Sequence, residues 1–282
     1  MLVTGAVVVC GVCGLNDGIV GFTTTTMRVL MIVTHNKSSE SMPEIPDETI
    51  HLVVTSPPYN CDMAYDLYDD NRDFNDYLSM LDKVWKECYR VMVPGGRIAV
   101  NVAHGVGRKP YQPLYAYIAL QLEQIFSLRG VIVWQKGQSS NLTSWGSWRS
   151  PVDPALRDVC EMIIVANKQG AITIPEGSLI KDANKKVSPW LDRDTFMELT
   201  LDHWFVNPET KRSSHPAPFP VAIPLRLMKL YAFPGATALD PFAGSGSTGL
   251  AAKQLGINCH LYEIDPGYCN VINNRLSQEV MF

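Results

Sequence analysis

Two short segments constrain this chain more than anything else in it: Thr55-Ser56-Pro57-Pro58-Tyr59 near the front and Asp240-Pro-Phe-Ala-Gly-Ser-Gly-Ser-Thr248 near the end. Each follows a short β-like apolar run, His51-Leu-Val-Val54 before the first and Ala238-Leu239 before the second. In open α/β sheets, ligands gather beyond the carboxyl ends of the strands. The pair therefore predicts an α/β fold in which one loop seats a ligand and the other faces it.

Gly244, Gly246 and Gly249 satisfy G-x-G-x-x-G, a spacing that allows a tight strand-to-helix turn and close backbone approach to a ligand. Alone this is weak, because any βα turn can carry glycines. Here Gly249-Leu-Ala-Ala-Lys-Gln-Leu255 continues as a helical pattern, Gly256-Ile-Asn turns the chain, and Cys259-His-Leu-Tyr262 forms a second strand ending on Glu263. An acid there, 17 residues after Gly246, is placed to accept hydrogen bonds from a ribose diol. A structural turn beside a surface glutamate is the plainer alternative. The full unit favours a nucleoside-containing cofactor.

Ser56-Pro57-Pro58-Tyr59 has different chemistry. Two consecutive prolines stiffen the backbone and remove two N–H donors, leaving carbonyls to accept hydrogen bonds. Ser56 adds an acceptor and Tyr59 a flat face for stacking. That set suits the exocyclic amine of a nucleobase, whose lone pair is delocalised into the ring. Acceptors holding both amino hydrogens out of their usual geometry restore lone-pair character on nitrogen, and catalysis becomes positioning plus electrostatic fit. No strong base is needed, because the nitrogen turns acidic once methylated. A Pro-Pro turn that merely closes a core strand is the structural alternative.

With both loops in place, the chain resembles the amino-specific DNA methyltransferases that use S-adenosylmethionine, in the permuted motif order called the β class. The resemblance runs from about Arg28 to Phe282. Further matching segments are Ile45–Leu52, Val93–Val100, Val131–Lys136, Trp145–Pro151 with Arg157-Asp158, and His215–Pro220. It implies a Rossmann-like α/β fold with a mostly parallel sheet covered by helices on both faces. It also implies cofactor contacts at Asp240, Pro241, Phe242, Gly244, Gly246, Glu263, His215, Pro216 and Phe219. Ser56, Pro57, Pro58 and Tyr59 become the catalytic clamp. Serine at its first position resembles the members that methylate cytosine N4; adenine N6 is the alternative. The implied partners are double-stranded DNA and a cognate restriction endonuclease acting separately, with the enzyme a monomer or homodimer in the cytoplasm.

Composition adds little and partly objects. With 282 residues and 46% apolar content the chain can bury one large core. A net charge of −4 does not advertise nucleic-acid binding, which usually leaves a basic footprint. A concave face can still be locally basic. Candidates are Arg108-Lys109, Lys136, Arg149, Arg157, Lys185-Lys186 and Lys211-Arg212, with a solvated surface charge the plainer reading of any one of them. Cys10 and Cys13 form one C-x-x-C with no second pair, so no metal site is expected. The other five cysteines are dispersed and read as small apolar residues.

Residues 1–26 hold a single charged side chain, Asp17. They lack the positive start of a signal peptide and the unbroken apolar run of a membrane span. The expectation is an extension outside the catalytic domain, with Met27 or Met31 the true start, or else an added β-hairpin. The domain proper is read as 27–282.

Beyond the extension, strands are predicted at Arg28–Thr34, Leu52–Val54, Arg97–Val102, Gly130–Trp134, Val159–Val165, Ala238–Asp240 and Cys259–Tyr262. Helices are predicted at Asp73–Val91, Pro113–Leu128, Pro220–Tyr231 and Gly249–Leu255, the first from the spacing of Phe74, Tyr77, Leu81, Val84, Trp85 and Cys88. This alternation argues for a mostly parallel sheet. Two stretches break the rhythm. Ser139–Pro154 carries Trp145 and Trp148 among polar residues, and about 170–214 is charged and irregular with Trp190, Phe196 and Trp204. The second is the expected target-recognition insertion, where aromatic side chains could wall a base pocket; ordinary packing is the alternative for each tryptophan.

Two other functions share parts of the pattern. An NAD-dependent oxidoreductase would carry the glycines and the ribose acid, but only 33 residues follow Gly249, too few for the further parallel strands of its fingerprint. A catalytically dead DNA-binding module would not need both loops intact.

Overall fold

In the computed structural model, the strands form where apolar β-formers alternate between two covered faces. Ile50 and Val53 pack into one buried cluster, while Leu52 and Val54 pack into the other. Both faces of the same strand are therefore dry, as a sheet sandwiched between helices requires. The structure describes residues 5–9 (backbone only), 30–61, 70–107, 110–137, 146–174, 191–208 and 220–278.

The strands are β1 (Gly5–Val9), β2 (Leu30–Asn36), β3 (Ile50–Thr55), β4 (Met92–Ala103), β5 (Ser127–Gln135), β6 (Cys160–Asn167), β7 (His203–Phe205), β8 (Thr237–Asp240) and β9 (Asn258–Glu263). The helices are α1 (Phe74–Val91), α2 (Leu114–Ile125), α3 (Arg193–Leu199), α4 (Ala222–Tyr231), α5 (Ser247–Leu255) and α6 (Pro266–Ser277). One sheet runs β1-β2-β9-β8-β3-β4-β6-β5-β7. Its pairings are mostly parallel; β6 is antiparallel to both neighbours, and β1 lies antiparallel on β2. Helices α1 and α2 cover one face, and α4, α5 and α6 the other. Among the described residues no helix is long and apolar enough to cross a membrane.

The sheet centre places the chemistry. β3 and β8 are parallel neighbours, with Leu52 opposite Ala238 and Val53 opposite Leu239. From β3 the chain crosses through α1 to β4 on one side; from β8 it crosses through α5 to β9 on the other. Strand order reverses at this point, and the carboxyl ends of such a pair diverge to open a crevice. The loops Ser56–Tyr59 and Pro241–Ser245 line it.

The expected elements all form, with shifted ends. α1 starts where expected because Asp73 caps it, its side chain accepting from the amides of Asn75 and Asp76. β4 begins at Met92 rather than Arg97, carrying Pro94-Gly-Gly96 inside the strand as an irregularity against β3. α2 ends at Ile125 because Phe126 is extended and β5 has begun by Ser127. α6, the short α3 and β7 go beyond the elements expected from the sequence. So does β1, whose antiparallel pairing with β2 follows the alternative of an added hairpin rather than an extension outside the domain. α6 buries only Cys269, Ile272 and Leu276, too thin an apolar stripe to show by periodicity. Its start does carry a signal, with Asp265 as cap and Pro266 in the first turn.

Candidate active site

One carboxylate joins the two loops. Asp240, at the end of β8, is buried; its Oδ1 accepts from Thr55 Oγ1 at 2.7 Å and the Phe242 amide at 3.0 Å, and its Oδ2 accepts from Thr248 Oγ1 at 2.6 Å. Burial pushes its carboxyl up to about 6. Both oxygens thus serve the protein: they tie the end of β3 to the Gly-rich turn and to the start of α5. Glu263, at the end of β9, works similarly, accepting from the Gly244 amide at 2.8 Å and the Asp265 amide at 2.9 Å.

The glycines divide their duties differently from the simple expectation. Gly244 lines the cavity with a left-handed φ of 50°. Gly246 does not line it; it starts α5 at φ 83°, and an added Cβ would lie 3.0 Å from Ile272 Cγ1 on α6. A Cβ on Gly249 would lie 2.7 Å from Leu261 Cδ1 on β9. Two of the three glycines therefore serve helix packing rather than approach to a ligand. Gly246→Val is expected to cost about 1–3 kcal/mol through backbone strain alone and, by displacing the turn, to abolish cofactor binding. A folded valine variant with unchanged affinity in calorimetry would contradict this placement.

The clamp loop is held by side chains outside it. Tyr77 Oη on α1 donates to the Pro58 carbonyl at 2.8 Å, so one of the two proline carbonyls already has a protein donor. Tyr59 Oη donates to Glu161 Oε2 at 2.8 Å and lies 3.1 Å from Ser56 Oγ. Asn101 Nδ2 on β4 donates to Tyr59 Oη at 3.0 Å and also to Glu161. Lys136, just beyond β5, pairs with the other oxygen of Glu161. Burial, and then the charge of Glu161, hold the Tyr59 phenol well above its ordinary pKa.

Asn101 and Glu161 are not among the residues the sequence singles out, and Lys136 is read there as one candidate for a phosphate contact, with a solvated surface charge the plainer alternative. In the structure the Lys136 ammonium instead pairs with Glu161 at the cavity. A signal for Glu161 does exist, since one acid interrupts the apolar run of β6, and buried acids need partners.

The cavity holding these groups has a volume of about 490 Å³ and is lined by both loops together with Asn101, Lys136, Glu161 and Glu263. Ser247 also lines it, and its Oγ, at the buried edge, has no hydrogen-bond partner among the described residues. A polar atom left that way is costly unless a ligand satisfies it. With Gly244, Glu263 and Phe242 around it, the donor and acceptor set fits a nucleoside-bearing cofactor.

The remaining site expectations fall elsewhere. His215, Pro216 and Phe219 lie outside the described residues, as do Trp145, Trp190, Arg108-Lys109, Lys185-Lys186 and Lys211-Arg212. Trp204 is core: it is 2% exposed on β7, with the Arg226 guanidinium 5.7 Å from its ring centre. Trp148 is 64% exposed, on the loop between β5 and β6 with the exposed Arg149 and Arg157.

Glu263 gives a pH test. Burial raises its carboxyl to about 7 from an ordinary 4.5. Between those values the unfolded chain has lost the proton that the folded chain keeps, so this group's contribution to stability falls as pH rises. The melting temperature of wild type minus that of Glu263→Gln is expected to decline from pH 4.5 to about 7 and then level off. A difference that grows across that window would contradict the assignment.

The reversed strand order, the turn over Gly244 and the cavity at the switch point define a Rossmann-like fold with a seat for a nucleoside-bearing cofactor, and comparison with known proteins makes the class an S-adenosylmethionine-dependent methyltransferase. TTHA0409 of Thermus thermophilus, solved in complex with S-adenosyl-L-methionine, superposes with a TM-score of 0.66 at 26% identity, covering 86% of this chain and 92% of that one. Residues 50–274 match the N6/N4 DNA methylase family, and the chain belongs to it. The Type II methyltransferase M.MthZI of Methanothermobacter thermautotrophicus is 28% identical over 268 residues, 86% of this chain and 75% of its own length. The cytosine-N4-specific PvuII DNA methyltransferase shares the fold, with a TM-score of 0.65 at 18% identity over 88% of this chain and 87% of its own.

Proposed function

We propose that this DNA methyltransferase is a β-class enzyme that methylates the exocyclic N4 of a cytosine flipped out of duplex DNA. The observation that carries the reading is the 2.7 Å hydrogen bond from Thr55 to Asp240, which fixes the Ser56–Tyr59 clamp beside the Gly-rich turn in one cavity. When bound, S-adenosylmethionine supplies an electrophilic methyl on its sulfonium. Asp240 shapes the turn that receives it, Pro241, Phe242, Gly244 and Gly246 form that turn, and Glu263 accepts from the ribose. His215, Pro216 and Phe219 complete the set. Ser56 and the Pro57 carbonyl accept the two amino hydrogens of the base while Tyr59 stacks on its ring.

Ser56, where a carboxylate could stand, supports cytosine N4 over adenine N6. Residues 27–282 make up the catalytic domain, to whose sheet β1 of the preceding segment adds an edge strand, with target recognition in about 170–214, aided by the exposed loop around Trp148, Arg149 and Arg157. The Type II relatives support a modification role opposite a separate restriction endonuclease.

Extruding a paired base costs a few kcal/mol, which binding must supply. A mismatch opposite the target lowers that cost, so such a duplex should bind more tightly, by about tenfold for each ~1.4 kcal/mol saved. A fluorescent cytosine analogue at the target should brighten on binding in wild type and respond differently in Tyr59→Ala. Equal affinity for matched and mismatched sites, with no brightening, would contradict flipping onto Tyr59.

A further inference from the structure

Glu161 lies on neither signature loop, yet the clamp leans on it. It enters the cavity from the start of β6, is 8% exposed, and receives three donors. Tyr59 Oη and Asn101 Nδ2 donate to Oε2, and Lys136 Nζ to Oε1. A carboxylate facing an ammonium group accepts hydrogen bonds and has none to give. The single hydroxyl proton of Tyr59 is therefore committed to Glu161, and burial beside that charge keeps it on the phenol.

This settles an ambiguity one step up the chain. Taken alone, the 3.1 Å contact between Ser56 Oγ and Tyr59 Oη could run in either direction. With its own proton directed at Glu161, the Tyr59 oxygen can only accept. It does so from Asn101 Nδ2 at 3.0 Å and from Ser56. The Ser56 proton then points at Tyr59, one Ser56 lone pair takes a longer contact from Asn101 Nδ2 at 3.4 Å, and the other is what the cavity meets. A serine in this position otherwise presents a donor as readily as an acceptor, and a donor facing an N–H contributes nothing.

We propose that Glu161, paired with Lys136, is a positioning residue that fixes the direction of the Ser56–Tyr59–Glu161 hydrogen-bond chain and so makes Ser56 an obligate acceptor for the target amine. The inference rests on the methyl-transfer reading above for its purpose, but not for its geometry. No proton leaves the chain in this role; Glu161 acts through Tyr59 and does not touch the base.

The test is Glu161→Gln, which keeps shape and changes direction. The amide oxygen must turn to Lys136, so its NH₂ faces Tyr59 and the Asn101 amide, which flips to present its Oδ1 as an acceptor. Tyr59 then accepts from the glutamine and donates to Ser56, and the Ser56 proton swings into the cavity. The expected result is a kcat about 100-fold lower, comparable to losing one preorganised hydrogen bond, with cofactor Kd and the KM for DNA within a few-fold. Tyr59→Phe breaks the same chain and should lower kcat similarly, and adding Glu161→Gln to it should cost nothing more. Should the glutamine variant not fold, Tyr59→Phe alone carries the same split between kcat and Kd.

A second readout needs neither cofactor nor DNA. In protein labelled with ¹³Cζ-tyrosine, the resonance missing from Tyr59→Phe should shift in Glu161→Gln, because Tyr59 has changed from donor to acceptor at that contact. An unmoved resonance, wild-type kcat in the glutamine variant, or losses that multiply in the double variant would each overturn the proposal. Absence of methyl transfer by wild type would overturn the functional reading instead, and the resonance would still decide the direction of the chain.

Discussion

Replacing Asp240 with alanine is expected to destabilise the fold by about 3 kcal/mol or more and to weaken S-adenosylmethionine binding by at least about 100-fold. The reasoning runs through three donors. Thr55 Oγ1, Thr248 Oγ1 and the Phe242 amide all end on this one carboxylate, at 2.6–3.0 Å. Thr55 and Thr248 are buried, and each buried donor left without a partner costs about 1–3 kcal/mol. With the ties gone, the turn carrying Phe242 and Gly244 loses its anchor to β3, and the cavity loses the wall a cofactor needs. Asp240→Asn keeps one oxygen and should fall between alanine and wild type. Urea denaturation and calorimetry read the two effects separately. A folded alanine variant that binds the cofactor as tightly as wild type would show that Asp240 does not shape the seat.

Ser56→Ala is expected to do the reverse: it should lower kcat by about 100- to 1000-fold, the range for deleting one preorganised hydrogen-bonding group, while cofactor Kd stays within a few-fold. Ser56 sits on the β3 side of the crevice, with Tyr59 and Asn101 as its neighbours and no bond to the Gly-rich turn. Its loss leaves Asp240, Glu263 and Gly244 as they are. Single-turnover kinetics with saturating cofactor isolates the effect. Cofactor affinity collapsing in parallel with turnover would mean that the two loops do not divide the work in this way.

What can be read in advance, and what cannot, follows from how each group is delivered. Both loops are contiguous, so their chemistry shows as words in the sequence, and the α/β alternation follows from apolar runs that each form one element. Asn101, Lys136 and Glu161 come from three different strands or strand ends. Only the register of β4, β5 and β6, with Trp134 opposite Glu161 and Ala103 opposite Glu161, brings them to one cavity wall. No local pattern encodes that register. Gly246 shows the converse: its spacing is visible, but its reason is not, because Ile272 lies on a helix with too thin an apolar stripe to foresee. Trp204 falls in the recognition segment by its neighbours in sequence, and pairing of β7 with β5 puts it in the core instead.

The chemical identity of the product tests the central claim most directly. Duplex DNA carrying many sequence contexts would be incubated with the protein and S-adenosylmethionine, digested to nucleosides and analysed by mass spectrometry. The expected result is N4-methyl-deoxycytidine in wild type and its near-absence in Ser56→Ala. N6-methyl-deoxyadenosine in its place would contradict the cytosine assignment while keeping the clamp, and no methylated nucleoside from a protein that binds the cofactor would contradict the account as a whole.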